Sequence, residues 1–179
     1  MADFQKALPR LLRNEGGYSF VSGDTGGETY RGISRNNFPS WKGWEVVDKH
    51  TPLPDEGRID DPELETEVGD FYKKYFWDAN RLGEIKDQAV AGKILDMCVN
   101  MGSYRGVVLV QQVLVNKVRV AIGIDGNLGP RTLAAINNET GSYLIQQIRK
   151  RAVEFYEGLA ERKPVLRKFL RGWLRRANQ

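Results

Sequence analysis

The sequence predicts a mainly α-helical protein with one small β-hairpin. Three observations carry this. Apolar residues recur at helical spacing through most of the chain, Asp and Pro stand where helices should begin, and paired glycines are confined to residues 16–27. With 179 residues, 41% hydrophobic and 28% charged, the chain can bury a substantial core. A single compact domain over 1–179 is expected, with approximate sub-regions 1–90 and 91–179.

Residues 3–14 place Phe4, Ala7, Leu8, Leu11 and Leu12 on one helical face, with Asp3 as N-cap; Pro9 predicts a kink or a late start. Beyond Gly16-Gly17 the chain should reverse through Thr25-Gly26-Gly27 as a small hairpin or loop. Pro39, Pro52 and Pro54 break residues 34–59 into short helical pieces. Asp60-Asp61-Pro62 then opens a helix carrying Leu64, Val68, Phe71, Tyr72, Tyr75 and Phe76. Asp87 caps another, with Ile94, Met97, Cys98 and Met101 facing the core before Gly102 ends it. Residues 105–118 are rich in Val, but length and context favour a buried helix over a strand. Pro130 starts a short helix, Ser142 caps a long one to about Arg162, and Pro164 opens the last.

Composition excludes several classes. No apolar run approaches the roughly 18–20 residues of a membrane span, and the N-terminus lacks the apolar stretch of a secretory signal. Synthesis in the cytoplasm, with any export by a route other than a signal peptide, is therefore expected. Cys98 is the single cysteine and reads as core; His50 is the single histidine and cannot assemble a metal site or a Ser-His-Asp triad with the residues around it. No metal or other cofactor is expected. The net charge of +4 is uneven: residues 163–179 hold six basic groups and no acidic ones, against 21 basic and 23 acidic elsewhere. Such a tail favours anionic polymers. Its apolar Leu166, Phe169, Leu170, Trp173 and Leu174 should dock on the core, so nucleic acid is not the expected partner. A monomer is expected.

Chemistry concentrates near the N-terminus. Glu15 stands where the first helical pattern runs out, and Asp24 and Thr29 follow nine and fourteen positions later. The negative end of a helix dipole favours the neutral form of a carboxyl group, and a glycosidic leaving oxygen needs a proton. A second carboxylate across a cleft would orient or activate water, the two-carboxyl arrangement of glycoside hydrolysis. The plainer readings are a solvated Glu15, an Asp24 that stabilises a turn, and a Thr29 that is only a strand residue. Glu28 is expected to point outward and Tyr18 to pack. Tyr30 either packs the hairpin or forms a sugar platform, Trp41 and Trp44 are candidates for exposed stacking, and Trp77 and Trp173 read as core.

Glu15-Gly16-Gly17-Tyr18 followed by Asp24-Thr25-Gly26-Gly27-Glu28-Thr29-Tyr30-Arg31-Gly32-Ile33 resembles the N-acetylmuramidases of glycoside hydrolase family 108, which include phage-type endolysins and secretion-activator proteins. Leu95-Asp96-Met97-Cys98-Val99-Asn100-Met101-Gly102 is similar to that family's mid-chain helix. Asp125-Gly126-Asn127-Leu128-Gly129-Pro130-Arg131-Thr132-Leu133 is similar to its peptidoglycan-binding-type region, and Gly172-Trp173-Leu174-Arg175 to its closing motif. The resemblance implies a lysozyme-like fold with the hairpin beside the active site, Glu15, Asp24 and Thr29 as catalytic residues, a cleft-lining role for Asn100, peptidoglycan as substrate and partner, and action at the cell wall after non-classical export or holin-type release. A lytic transglycosylase, or a wall-binding or secretion-accessory protein without turnover, are the rival readings.

Overall fold

The structure, a computed structural model, describes residues 1–20 and 27–179. Among these residues, eight α-helices and a three-stranded antiparallel sheet form the regular structure. In chain order they are α1 (Phe4–Asn14), β1 (Tyr18–Phe20), β2 (Glu28–Tyr30), β3 (Ile33–Ser34), α2 (Gly43–His50), α3 (Pro62–Tyr72), α4 (Gln88–Met101), α5 (Ser103–Val113), α6 (Pro130–Asn138), α7 (Gly141–Arg162) and α8 (Arg167–Asn178). The protein is thus mainly α-helical, as the spacing predicts. Two compact units divide the chain, one of Leu8–Tyr75 and one of Met1–Ala7 with Phe76–Gln179.

Helix α1 starts at Phe4 despite Pro9 in its interior, so the late start is corrected. Asp3 supplies a cap, its Oδ1 accepting from the backbone N–H of Gln5 at 2.9 Å. Burial of Phe4, Ala7 and Leu11 outweighs the backbone bond that Pro9 cannot make.

In the unit Leu8–Tyr75, β1 pairs with β2 in the register Tyr18↔Tyr30, Ser19↔Thr29 and Phe20↔Glu28. The expected antiparallel pairing is present, with residues 21–26 of its connection outside the described residues and Gly27 at a positive φ of 61°. A second, tighter hairpin was not foreseen. Tyr30 pairs with Ile33, so Arg31 and Gly32 form a two-residue loop, and both have positive φ, 50° and 77°. Two successive positive φ values define the turn whose twist matches paired strands. In this unit Tyr30 and Ile33 of the sheet are buried along with Val47, Leu64 and Val68 of α2 and α3, with Phe38 edge-on to Phe71 at 4.7 Å and Trp41 edge-on to Trp44 at 5.1 Å. Helix α3 begins as its sequence announces: Asp61 Oδ1 accepts from the N–H groups of Glu63 and Leu64, with Pro62 at the first helical position.

The other unit is built on α4, α5, α7 and α8. Asp87 Oδ1 accepts from the N–H groups of Ala89 and Val90 and caps α4. Its other oxygen occupies the place a Cβ on Gly141 would take, at the start of α7. A carboxylate there complements the positive helix end. Ser142 is therefore not the cap: α7 opens after Thr140, and Ser142 lies inside its first turn. Both α3 and α5 run on into π-helical turns, Lys73–Asp78 and Leu114–Val118. Pro164 opens a short 3-10 turn that leads into α8.

Helix α8 docks through Trp173, which stacks on Tyr156 of α7 at 5.2 Å. Its end is held by charge. The ammonium of Lys93, a residue only 3% exposed, donates to the carbonyls of Arg176 and Ala177 at 3.0 and 2.8 Å, and Arg176 Nε donates to Asp96 at 2.8 Å. Arg176 is thus a structural cation of α8 and not part of its solvated face. No described helix is long and apolar enough to cross a membrane.

Candidate active site

Glu15 follows the last residue of α1, its backbone N–H donating to Leu11 at 3.3 Å, so its carboxyl group leaves from the helix's negative end. The side chain lies against the tip of the Arg31-Gly32 turn. A Cβ on Gly32 would collide with Glu15 Oε2 and stand 2.8 Å from the hydroxyl oxygen of Tyr72. Gly32 thus serves twice, by adopting a positive φ and by leaving room for the carboxyl group. The turn is itself fixed: Arg31 N–H donates to Gly17 at 3.0 Å, Tyr72 Oη donates to the Arg31 carbonyl at 2.5 Å, and the Arg31 guanidinium meets Glu65 at 2.6 Å.

Glu56 completes the seat, and nothing local in the sequence advertised it. It adopts a positive φ of 60°, and its Oε2 accepts from the N–H of Gly17 at 2.9 Å. Tyr18 N–H donates to Gly57 and Glu56 N–H to Tyr18, at 2.8 and 2.7 Å, so residues 56–57 zip onto β1. A Cβ on Gly16 would stand 2.7 Å from the Glu56 carboxylate, and one on Gly17 would meet the backbone of Glu56 and Gly57. The glycine pair is required here by close approach of another segment, and not by a reversal of its own.

Thr29 sits in the middle of the sheet, paired to Ser19 and Ser34, and its hydroxyl donates to the Ser19 carbonyl at 3.4 Å. Asp24 belongs to residues 21–26 and lies outside the described residues. Glu28 is a correction. Instead of pointing outward it is half-buried and paired with Arg35, which also pairs with Asp48 and lies 4.2 Å over the Trp44 ring. Burial first, then hydrogen bonding to Glu28, raises the Tyr18 hydroxyl above its ordinary pKa.

The aromatic candidates divide. Tyr30 is fully buried, its hydroxyl accepting from Ile59 N–H at 3.2 Å, so of its two readings the structure selects packing. Trp44 is 3% exposed and its indole donates to the Phe38 carbonyl at 2.8 Å, so the expectation of exposed stacking is corrected for it. The short Pro-flanked helix α2 folds its indole inward with Val47. Trp41 remains half-exposed, with its indole donating to Glu67 at 3.3 Å. Trp77 is core and Trp173 is half-exposed. In the other unit, Asn100 near the end of α4 donates to the Tyr156 hydroxyl, whose pKa burial raises. Among the described residues no group of three or more His, Cys, Asp or Glu side chains is placed to hold a metal ion.

The loop Asp125–Pro130 is organised by a residue the sequence did not single out. Gln111, 1% exposed on α5, accepts from the N–H groups of Asp125 and Gly126 at 3.0 and 2.9 Å, and donates to Asp125 Oδ1 and the Asn127 carbonyl at 2.8 and 2.9 Å. The Gln111 amide and the Asn127 N–H hold the Asp125 carboxyl below its ordinary pKa. A glutamine inside an apolar helical run was the available signal.

Comparison with known proteins bears on the fold and the family. The structure of SagA from Brucella abortus is similar over 98% of this chain and 89% of that one, with a TM-score of 0.68 and 23% identity, and it shares the fold. No curated protein matches. Residues 105–178 match a model described as a predicted peptidoglycan domain. Residues 8–102, more than half of the chain and the segment that builds the Glu15 seat, match the model of glycosyl hydrolase 108, and the chain belongs to that family.

Proposed function

We propose that this protein hydrolyses the β-1,4 bond between N-acetylmuramic acid and N-acetylglucosamine in peptidoglycan, at the cell wall. The observation that carries the reading is the seat of Glu15, at the negative end of α1 and against a glycine turn that leaves room for little besides the carboxyl group. Glu15 gives its proton to the glycosidic oxygen as the bond to the anomeric carbon breaks, and water adds to that carbon. Asp24 takes up the water's proton or orients the molecule. Thr29 suits an assisting role: its hydroxyl hydrogen is committed to the Ser19 carbonyl, which leaves the oxygen lone pairs to accept from water. Inversion at the anomeric carbon follows if water stands between the two carboxyl groups.

Glu15→Gln keeps the shape but holds no transferable proton. Lysis of purified peptidoglycan should fall by about a hundredfold or more, the ordinary scale of general acid catalysis, with the thermal transition retained. Near-normal turnover by folded Glu15→Gln protein would sink the mechanism. Mass spectrometry of borohydride-reduced products separates the chemistries. Reducing-end N-acetylmuramic acid supports the proposal, reducing N-acetylglucosamine moves the cleaved bond, and 1,6-anhydro sugar assigns a transglycosylase that excludes water.

A further inference from the structure

In the unit Met1–Ala7 with Phe76–Gln179, α5 and its π-helical extension run beside α7 and leave a groove of about 300 Å³. One wall offers Gln112, Asn116 and Lys117, the other Gln147, Lys150 and Arg151. Three cations face the single carboxylate of Glu154, so the groove is positive. Its guanidinium is oriented in advance, because Arg151 Nε donates to Gln112 Oε1 at 3.0 Å while Nη1 lies 3.8 Å from Glu154. Asn116 and Lys117 are carried by the π-helical turn, a distortion that often marks functional sites.

The lining selects a ligand class. No aromatic ring lines the groove, so it lacks the platform on which sugar rings stack. Three carboxamides, each both donor and acceptor, match successive peptide groups, and three cations match carboxylates. The volume is at the lower end for small-ligand sites, enough for a short segment. Every lining residue falls within 105–178, the part that matches the peptidoglycan domain.

We propose that this groove binds the acidic stem peptide of peptidoglycan, its carboxylates meeting Lys117, Lys150 and Arg151 and its amides pairing with Gln112, Asn116 and Gln147. The inference rests on peptidoglycan being the substrate and assigns its peptide part to a separate site.

The test is calorimetric titration of the full chain with a synthetic tetrapeptide of L-alanine, γ-D-glutamate, diaminopimelate and D-alanine, and with the same peptide amidated at its carboxylates. The double variant Lys117→Gln, Lys150→Gln changes only exposed side chains and should fold normally. Its affinity for the acidic tetrapeptide should fall by roughly three- to tenfold, the scale of exposed charge pairs, and the amidated peptide should bind wild type comparably weakly. Equal affinity of the variant and wild type, or of the two peptides, overturns the assignment, as does failure of wild type to bind the acidic tetrapeptide. Digestion of purified peptidoglycan is scored alongside. Digestion without tetrapeptide binding removes the groove alone, whereas charge-dependent tetrapeptide binding without digestion keeps the groove and removes the hydrolase.

Discussion

At Gly32 one hydrogen atom separates a usable carboxyl seat from a blocked one. A methyl group there meets Glu15 Oε2 and the Tyr72 hydroxyl, and the residue must also hold φ near 77°, where alanine is strained. Gly32→Ala should therefore displace Glu15 and lower activity on peptidoglycan by at least about tenfold, with destabilisation of about 1–3 kcal/mol. Activity assays beside a thermal melt check this; full activity would mean that the carboxyl group can work from elsewhere. The position of Glu15 was legible from sequence because a helix end and a glycine pair announce themselves locally. The partners of its seat were not. Tyr72 reads as one apolar position in a helical stripe, and Glu56 reads as part of an irregular stretch, yet they act across 41 and 39 residues of chain. Tyr30 and Trp44 are the converse case, since an amphipathic ring in a polar stretch carries no local sign of which way it will turn.

Among the elements, the end of α8 is met by a buried lysine of another helix. The Ala177 carbonyl would lose its bond in a buried setting without the Lys93 ammonium, and that lysine had been hidden in the helical pattern of α4. Lys93→Met keeps the bulk and removes the donor. The Arg176 carbonyl still accepts from the Gln179 N–H, so the loss falls on the Ala177 carbonyl and should cost about 1–3 kcal/mol, which for a chain of this length lowers Tm by about 2–10 °C. Proteolysis confined to α8 in the variant would show local release, and an unchanged Tm would refute the capping role. Helix beginnings were readable wherever the capping carboxylate lies next to its helix, as at Asp61 and Asp87. The start of α7 was not, because the carboxylate beside it comes from Asp87, far earlier in the chain. Cys98 of α4 gives a pH-dependent check of the same packing. Burial pushes its thiol up to about 12, so the folded state holds this proton more tightly than the unfolded chain. Its contribution is complete below the unfolded thiol pKa and is lost as pH rises from about 9 towards 12. The fall in Tm over that window should be shallower in Cys98→Ala than in the parent, and native Cys98 should resist alkylation at pH 8. Equal slopes would place the thiol in a wetter setting.

For the whole molecule, the charge is best judged after removing the cations that serve structure. Arg176 is spent on Asp96, and Arg151 is oriented by Gln112 within its groove. Arg167, Lys168, Arg171 and Arg175 remain exposed on α8 while Leu170, Trp173 and Leu174, with Leu166 just before the helix, are half-buried; Phe169, expected to dock with them, is instead exposed. An exposed row of like charges attracts an anionic polymer over a distance set by salt, about 10 Å at 0.1 M and about 3 Å at 1 M. It has no shape with which to select a group, so its share of wall binding should vanish with salt, whereas the α5–α7 groove also offers hydrogen bonds that persist. Replacing Arg167, Lys168 and Arg171 with Gln should weaken cosedimentation with sacculi at low salt and flatten the salt dependence. Affinity for the acidic tetrapeptide, and turnover of a short neutral chitooligosaccharide if one is accepted, should stay within about twofold of the parent, as expected of exposed sites that do not couple to distant ones. If turnover of that neutral substrate fell in step with wall binding while Tm held, the basic face would be part of the catalytic surface, and the separation of long-range attraction from local recognition would be wrong.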